Sequence, residues 1–149
     1  MSKELKIRIV KEMKKAMRAR NKERLGTIRL ILSELKRIEV DERIELEDNR
    51  VLGVLDKMVK QRRDSVEQYT NANRQELADI EINEIKVVQE FLPEALSDSE
   101  ILVIVLEAIK SIKASSMKDM GAVMSAIKPK IQGRADIGKV SKVIKDKLI

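Results

Sequence analysis

The sequence predicts an all-α protein, an N-terminal helical bundle followed by a compact C-terminal three-helix domain. Three observations carry that expectation. Apolar residues recur at three- and four-residue spacing along almost the whole chain and nowhere alternate over a strand's length. Tyr69 and Phe91 are the only aromatic residues, so Leu, Ile, Val and Met must fill the core, which suits helix packing. Leu92-Pro93 interrupts the pattern, because proline cannot continue a helical ladder and disfavours helix in the residue before it. The boundaries follow: residues 1–92 as the bundle, 93–96 as linker and 97–149 as the C-terminal domain.

A first helix over Ser2–Ala19 has Leu5, Ile9, Met13 and Met17 as its stripe and Ser2 as N-cap. Arg20-Asn21-Lys22 reads as a short turn. A second helix runs from Lys22 towards Glu47 with Leu25, Ile28, Ile31, Leu32 and Leu35 inward; the acidic stretch Glu39–Asp48 reads as a loop or a frayed extension. Asp48 or Asn49 caps a third helix reaching about Ala72, with Val51, Leu55, Met58, Val59, Val66 and Tyr69 inward. Asn71-Ala72-Asn73 is a turn signal. A fourth helix takes Gln75–Phe91, with Leu77, Ile80, Ile85, Val88 and Leu92 in the core.

Beyond the linker, Ser97 and Glu100 form a capping box opening a fifth helix to about Lys113, with Ile101, Ile104, Val105, Ala108 and Ile112 inside. Ser115 or Ser116 caps a sixth, Met117 to about Ile127, with Met120, Val123, Met124 and Ile127 inward and Pro129 as its stop. Asp136 caps a seventh, built on Val140, Val143, Ile144 and Leu148. The methionines read as core fillers.

Residue types missing from the chain narrow its chemistry. Neither His nor Cys is present, which removes Ser-His-Asp and Cys-His nucleophilic machinery, His- or thiolate-bound zinc, and disulfides. No Gly-rich phosphate loop and no ligand cluster is visible, so no catalytic residue, metal or cofactor is assigned. No apolar run is long enough to cross a membrane, and Met1-Ser2-Lys3-Glu4 leads into no apolar signal core; a soluble cytoplasmic protein with no membrane partner is the expectation.

The net charge of +6 is unevenly spread. Residues 1–37 hold 13 Lys/Arg against 4 Asp/Glu, residues 38–92 hold 8 against 14, and residues 93–149 hold 10 against 7. Basic ends around an acidic middle would concentrate polyanions, although a mixed, solvated helical surface gives the same counts. The basic first helix could lie on an anionic membrane, but its apolar face lacks Trp and Phe anchors, and packing in a bundle is the preferred reading.

The one distinctive run is Met117–Leu148. It reads as two short helices joined by the elbow Lys128-Pro129-Lys130-Ile131-Gln132-Gly133-Arg134-Ala135-Asp136. Gly133 suits a positive-φ turn, Asp136 an N-cap, and Gly121 a close helix approach. Those roles are structural. Lys128, Lys130, Arg134, Lys139 and Lys142 are the candidate nucleic-acid-binding residues, since a turn does not need so many cations. With almost no aromatics to stack bases, single-strand readout is disfavoured, and recognition of phosphate and shape in a folded RNA stays open.

This run resembles the C-terminal domain of the YqeY family, which also forms the tail of the B subunit of the aspartyl/glutamyl-tRNA amidotransferase. The matching residues are Met120, Gly121, Pro129, Lys130, Gly133, Arg134, Ala135, Asp136 and Lys139. The length and the arrangement before the run also look like a stand-alone YqeY protein. The resemblance implies tRNA as the partner, with amidotransferase or aminoacyl-tRNA synthetase proteins as further partners. It also attaches the label of a carbon–nitrogen ligase with glutamine as amido-N-donor, by kinship only, because the amidotransferase's catalytic domain is missing here. The expected function is therefore a tRNA-associated accessory protein. The alternatives are a helical protein–protein adaptor and a non-catalytic component of an amidotransferase complex.

Overall fold

A computed structural model describes residues 2–148, and among them every regular element is helical. The helices are α1 (Glu4–Arg18), α2 (Lys22–Glu42), α3 (Asp48–Asn71), α4 (Gln75–Gln89), α5 (Asp98–Ile112), α6 (Met120–Ile131) and α7 (Ile137–Leu148), with a 3₁₀ turn, Met117–Asp119, leading into α6. The chain divides into two compact units, one ending at Pro93 and the other starting at Glu94.

In the first unit, α1 to α4 surround a core of Ile9 and Ala16, Ile28, Ile31 and Leu35, Val51, Val54, Leu55, Met58 and Val59, and Val88, closed by Leu46 and Phe91. Full burial of an aliphatic side chain of this size stabilises by roughly 1.5–3 kcal/mol, so these residues dominate the energetics. The first stripe departs from its four-residue spacing. Leu5, Ile9 and Met13 pack inward, but Met17 is 48% exposed and Ala16 takes its place. A strict four-residue step overshoots the helical repeat of about 3.6, so the fourth member rotates off the core.

The N-cap position of α1 falls on Lys3, one residue later than the sequence suggests, but the Ser2 Oγ still accepts the Glu4 N–H at 3.3 Å. The α1 N–H of Leu5 donates to Asp48 Oδ1 at 2.9 Å, while the N–H of Asp48 donates to the Ser2 carbonyl at 2.8 Å. A carboxylate at the start of α3 thus satisfies the start of α1, 43 residues away. α2 ends at Glu42 because Arg43 turns left-handed, with φ 55°. Leu46 is then buried, and its N–H donates to Glu39 Oε2 at 3.0 Å. α3 ends in a turn where Asn73 has φ 59°. In α4, Ala78 is buried and Ile80 is 54% exposed, against the expectation that Ile80 is core. Val66 and Tyr69 are half-buried and outside the main core.

In the second unit three helices each give three residues to one core: Ile101, Val105 and Ala108; Val123, Ile127 and Ile131; Val140, Ile144 and Leu148. The box at Ser97 is fully made. Its Oγ accepts the Glu100 N–H at 3.2 Å, and its own N–H donates to Glu100 Oε1 at 3.1 Å. Ile112 and Met117, expected inside, are 40% and 45% exposed.

Two motif residues behave differently from expectation. Pro129 lies inside α6 and does not stop it; the helix runs on to Ile131, which is buried. Pro129 is exposed, so the carbonyl left without an N–H partner, four residues back, can turn to water. Gly121 meets nothing within 4 Å where a Cβ would be, so it mediates no close helix approach.

Candidate functional site

The elbow between α6 and α7 is built from the backbone outward. The Gln132 N–H donates to the Lys128 carbonyl at 3.1 Å, and Gly133, buried with φ 74°, reverses the chain. That left-handed conformation is one glycine adopts without steric cost. The Arg134 N–H then returns to the Ile131 carbonyl at 2.8 Å. Asp136 Oδ1 accepts the Gly138 N–H at 3.1 Å at the head of α7. The carboxylate also suits the positive end of the helix dipole.

The five candidate cations separate into two groups. Arg134 is half-buried and turned towards the start of α5. Its Nε donates to the Glu94 carbonyl at 3.2 Å and its own carbonyl accepts the Leu96 N–H at 2.8 Å. Lys139 pairs with Asp98 at 2.6 Å. The Glu100 carboxyl is held below its usual range by the Ser97 N–H and hydroxyl, with Arg134 adding a smaller attraction. These two cations therefore already have partners. Lys128, Lys130 and Lys142 are exposed and make no ion pair among the described residues.

The structure also parts Lys128 from Lys130. Because the helix continues through Pro129, these residues sit about 200° apart around its axis and do not face each other. Lys139 and Lys142, three apart on α7, do share a face, with Asp146 following one turn later. The elbow thus presents cations on several sides, with no single tight cluster. The sequence reading missed Glu94, Leu96, Asp98 and Glu100 as partners of this motif. They lie some 40 residues upstream, and only the acidic opening of α5 hinted at them.

Elsewhere, the first unit holds two ion-pair centres. Arg24 bridges Glu12, at 3.1 Å, and Glu90; Arg62 meets Glu84 at 2.8 Å with both side chains largely covered. Next to Arg24 and Glu84 lies an open cleft of about 800 Å³ between α2 and α4, bordered by Gly26, Leu30, Ile80 and Val87. Among the described residues no cluster of acidic side chains could hold a metal ion, and no helix is long and apolar enough to cross a membrane.

Comparison with known proteins settles the kinship. The model of the Yqey-like protein family matches residues 6–148. The chain belongs to the YqeY family. Its relatives include "Altered inheritance of mitochondria protein 41, mitochondrial" of Clavispora lusitaniae, 38% identical over 122 residues, covering 78% of this chain and 69% of that protein. The protein of the same name in Pyrenophora tritici-repentis is 34% identical over 145 residues, covering 93% and 78%. That of Kluyveromyces lactis is 35% identical over 108 residues, covering 70% and 58%. The YqeY match takes in both units, so the kinship is not confined to the elbow. These names correct one expectation. A cytoplasmic location was inferred from the lack of an apolar leader, but the relatives are named mitochondrial proteins. Absence of an apolar secretory core does not bear on organelle import, whose transit segments are amphipathic.

Proposed function

We propose that this YqeY protein is a non-catalytic accessory protein that binds folded RNA, with tRNA the candidate, through the elbow of its second unit. The observation that carries this reading is the set of exposed lysines without ion pairs, Lys128, Lys130 and Lys142, displayed around a backbone fixed by Gly133, Asp136 and Arg134. Cations spread over several sides of the elbow suit the ridges of a folded polyanion better than a single small anion. The scarcity of aromatics favours contact with phosphate and shape over base stacking. The two units act as separate domains, the first as a helical bundle and the second as the three-helix RNA-contacting part. By kinship, the work is done beside tRNA-dependent amide formation, and the relatives' names point to mitochondria.

The test is a titration of the full chain with folded tRNA against an unfolded RNA of equal length, at low and physiological salt. Preferred binding of the folded form, steeply lost with salt and lost again in Lys128→Glu/Lys130→Glu/Lys142→Glu, is the expected result. Equal weak binding of both RNAs, unaffected by that triple change, would overturn it.

A further inference from the structure

α1 packs on the bundle through Leu5, Ile9, Met13 and Ala16, yet it carries a second line of residues that the bundle does not use. Lys3, Ile7, Val10, Lys14 and Met17 follow one another at spacings of four, three, four and three. At 100° per residue this line lies roughly 125° round the helix from the buried stripe. Ile7 is 56% exposed and Met17 48%. Beside the line opens a groove of about 460 Å³, lined by Ile7, Val10, Leu46, four lysines and the carboxylates Glu39 and Glu45, which pair with Lys6 and Lys3 and leave Lys11 and Lys14 as its charges unpaired among the described residues.

Single exposed apolar residues need no explanation. A seam does. Alternating four and three is the repeat by which one helix lies along another as in a coiled coil, where the positions flanking the seam choose the partner by charge. On α1 those flanks include Lys6, Lys11 and Arg18. Lys6 is answered within the chain by Glu39, at 2.6 Å. Lys11, Lys14 and Arg18 make no ion pair among the described residues. We propose that the outer seam of α1 docks an acidic amphipathic helix of a partner protein, its apolar line on Ile7 and Val10 and its carboxylates against Lys11, Lys14 and Arg18.

Other polyanions fit less well. RNA has no use for Ile7 and Val10, since it offers phosphates outside and needs aromatic faces for its bases. A bilayer would be engaged through Trp or Phe on a convex apolar face. Here the apolar surface sinks into a groove beside Leu46, and α1 contains no aromatic residue. This surface is independent of the elbow lysines, which belong to the other unit.

A three-heptad peptide with Leu at both seam positions and Glu at both flanking positions of each heptad is a suitable probe, because its like charges keep it from pairing with itself. Fluorescence anisotropy of the labelled peptide with the full chain should show saturable micromolar binding. Ile7→Asp and, separately, Lys11→Glu/Arg18→Glu should each weaken it about tenfold or more, as loss of a central anchor does. These side chains are exposed, so the circular-dichroism melt should be unchanged, and the same variants should bind tRNA as the parent chain does in the case of Ile7→Asp. The proposal is overturned by no saturable binding at millimolar peptide, by equal binding to Ile7→Asp, or by equal binding of a peptide with Lys in place of Glu. It is also overturned if phosphatidylglycerol vesicles compete the peptide away through the same residues, which would assign the seam to a membrane.

Discussion

Arg134 and Leu96 are joined through the main chain, the Leu96 N–H donating to the Arg134 carbonyl at 2.8 Å, while the Arg134 guanidinium reaches past Leu96 to the Glu94 carbonyl at 3.2 Å. The most eye-catching cation of the elbow is therefore a clasp. It fastens the segment ahead of α5 to the turn ahead of α7. Arg134→Lys keeps the charge but loses the planar donor geometry. That variant should lower the stability of the second unit by about 1 kcal/mol, the net worth of one such hydrogen bond. Urea denaturation checks it. In contrast, Lys130→Glu should leave the midpoint nearly unchanged and alter only RNA affinity.

Asp98 occupies Lys139 in the free protein. Both side chains are more than half exposed, so the pair contributes little to stability, within about 1 kcal/mol. In the proposed RNA-bound state, a phosphate arriving at α7 would compete with that carboxylate. Asp98→Asn should therefore tighten tRNA binding several-fold while leaving the thermal midpoint almost unmoved. Unchanged or weaker binding in a filter or anisotropy titration would take Lys139 out of the interface.

Two backbone positions should yield stability for opposite reasons. Lys113 ends α5 in the left-handed region at φ 56°, which costs a side-chain-bearing residue roughly 1–2 kcal/mol. Lys113→Gly should recover about 1 kcal/mol of that. Gly121 is the reverse case, a glycine within α6 with open space around its missing Cβ. Gly121→Ala should stabilise by about 0.5–1 kcal/mol. Urea midpoints of the two variants, alone and together, give the measurement, and the gains should add because the sites share no contact.

Glu39 and Glu81 predict opposite pH responses. Lys6 foremost, aided by the Leu46 N–H, holds the Glu39 carboxyl below its usual range. Its stabilising share is present above the ordinary glutamate pKa of about 4.3 and disappears as pH falls through the lowered value. Glu39→Gln should therefore lower the melting temperature at pH 7 and matter progressively less below pH about 4. Burial foremost, then Glu84, raises the Glu81 carboxyl. Its ionised form is disfavoured in the fold, and stability falls as pH rises through the raised value. Glu81→Gln should thus stabilise at pH 7 and do nothing in acid. Melts from pH 3 to pH 7 separate the two.

Much of the helical layout was legible in the sequence because it is local. The box at Ser97 and Glu100, the turn at Asn73, and stripes such as Ile101, Val105 and Ala108 depend only on spacing within one or two turns. What escaped was phase and stopping. Met17 and Ile80 lie outside because a stripe must match the neighbour it meets, and no stretch of α1 or α4 alone records where α2 and α3 stand. Arg43 and Lys113 end helices although neither residue type signals a turn. Pro129 reads as a stop by residue type, yet an exposed last turn tolerates it, and that puts Lys128 and Lys130 on opposite flanks.

The helical class, the caps at Ser97 and Asp136, the positive-φ glycine at Gly133 and the kinship that the elbow carries follow from the residues alone, since each is set by chemistry within a few residues. Which cations stay unpaired is set by packing across the fold. Arg134 and Lys139 are claimed by Glu94 and Asp98, and the start of α1 is satisfied by Asp48, because hydrogen bonds and ion pairs close across distances in the chain that no local pattern encodes. The same geometry leaves Ile7 exposed and Val10 half-buried outside the core, since a helix in a bundle has one face to bury and α1 was given two.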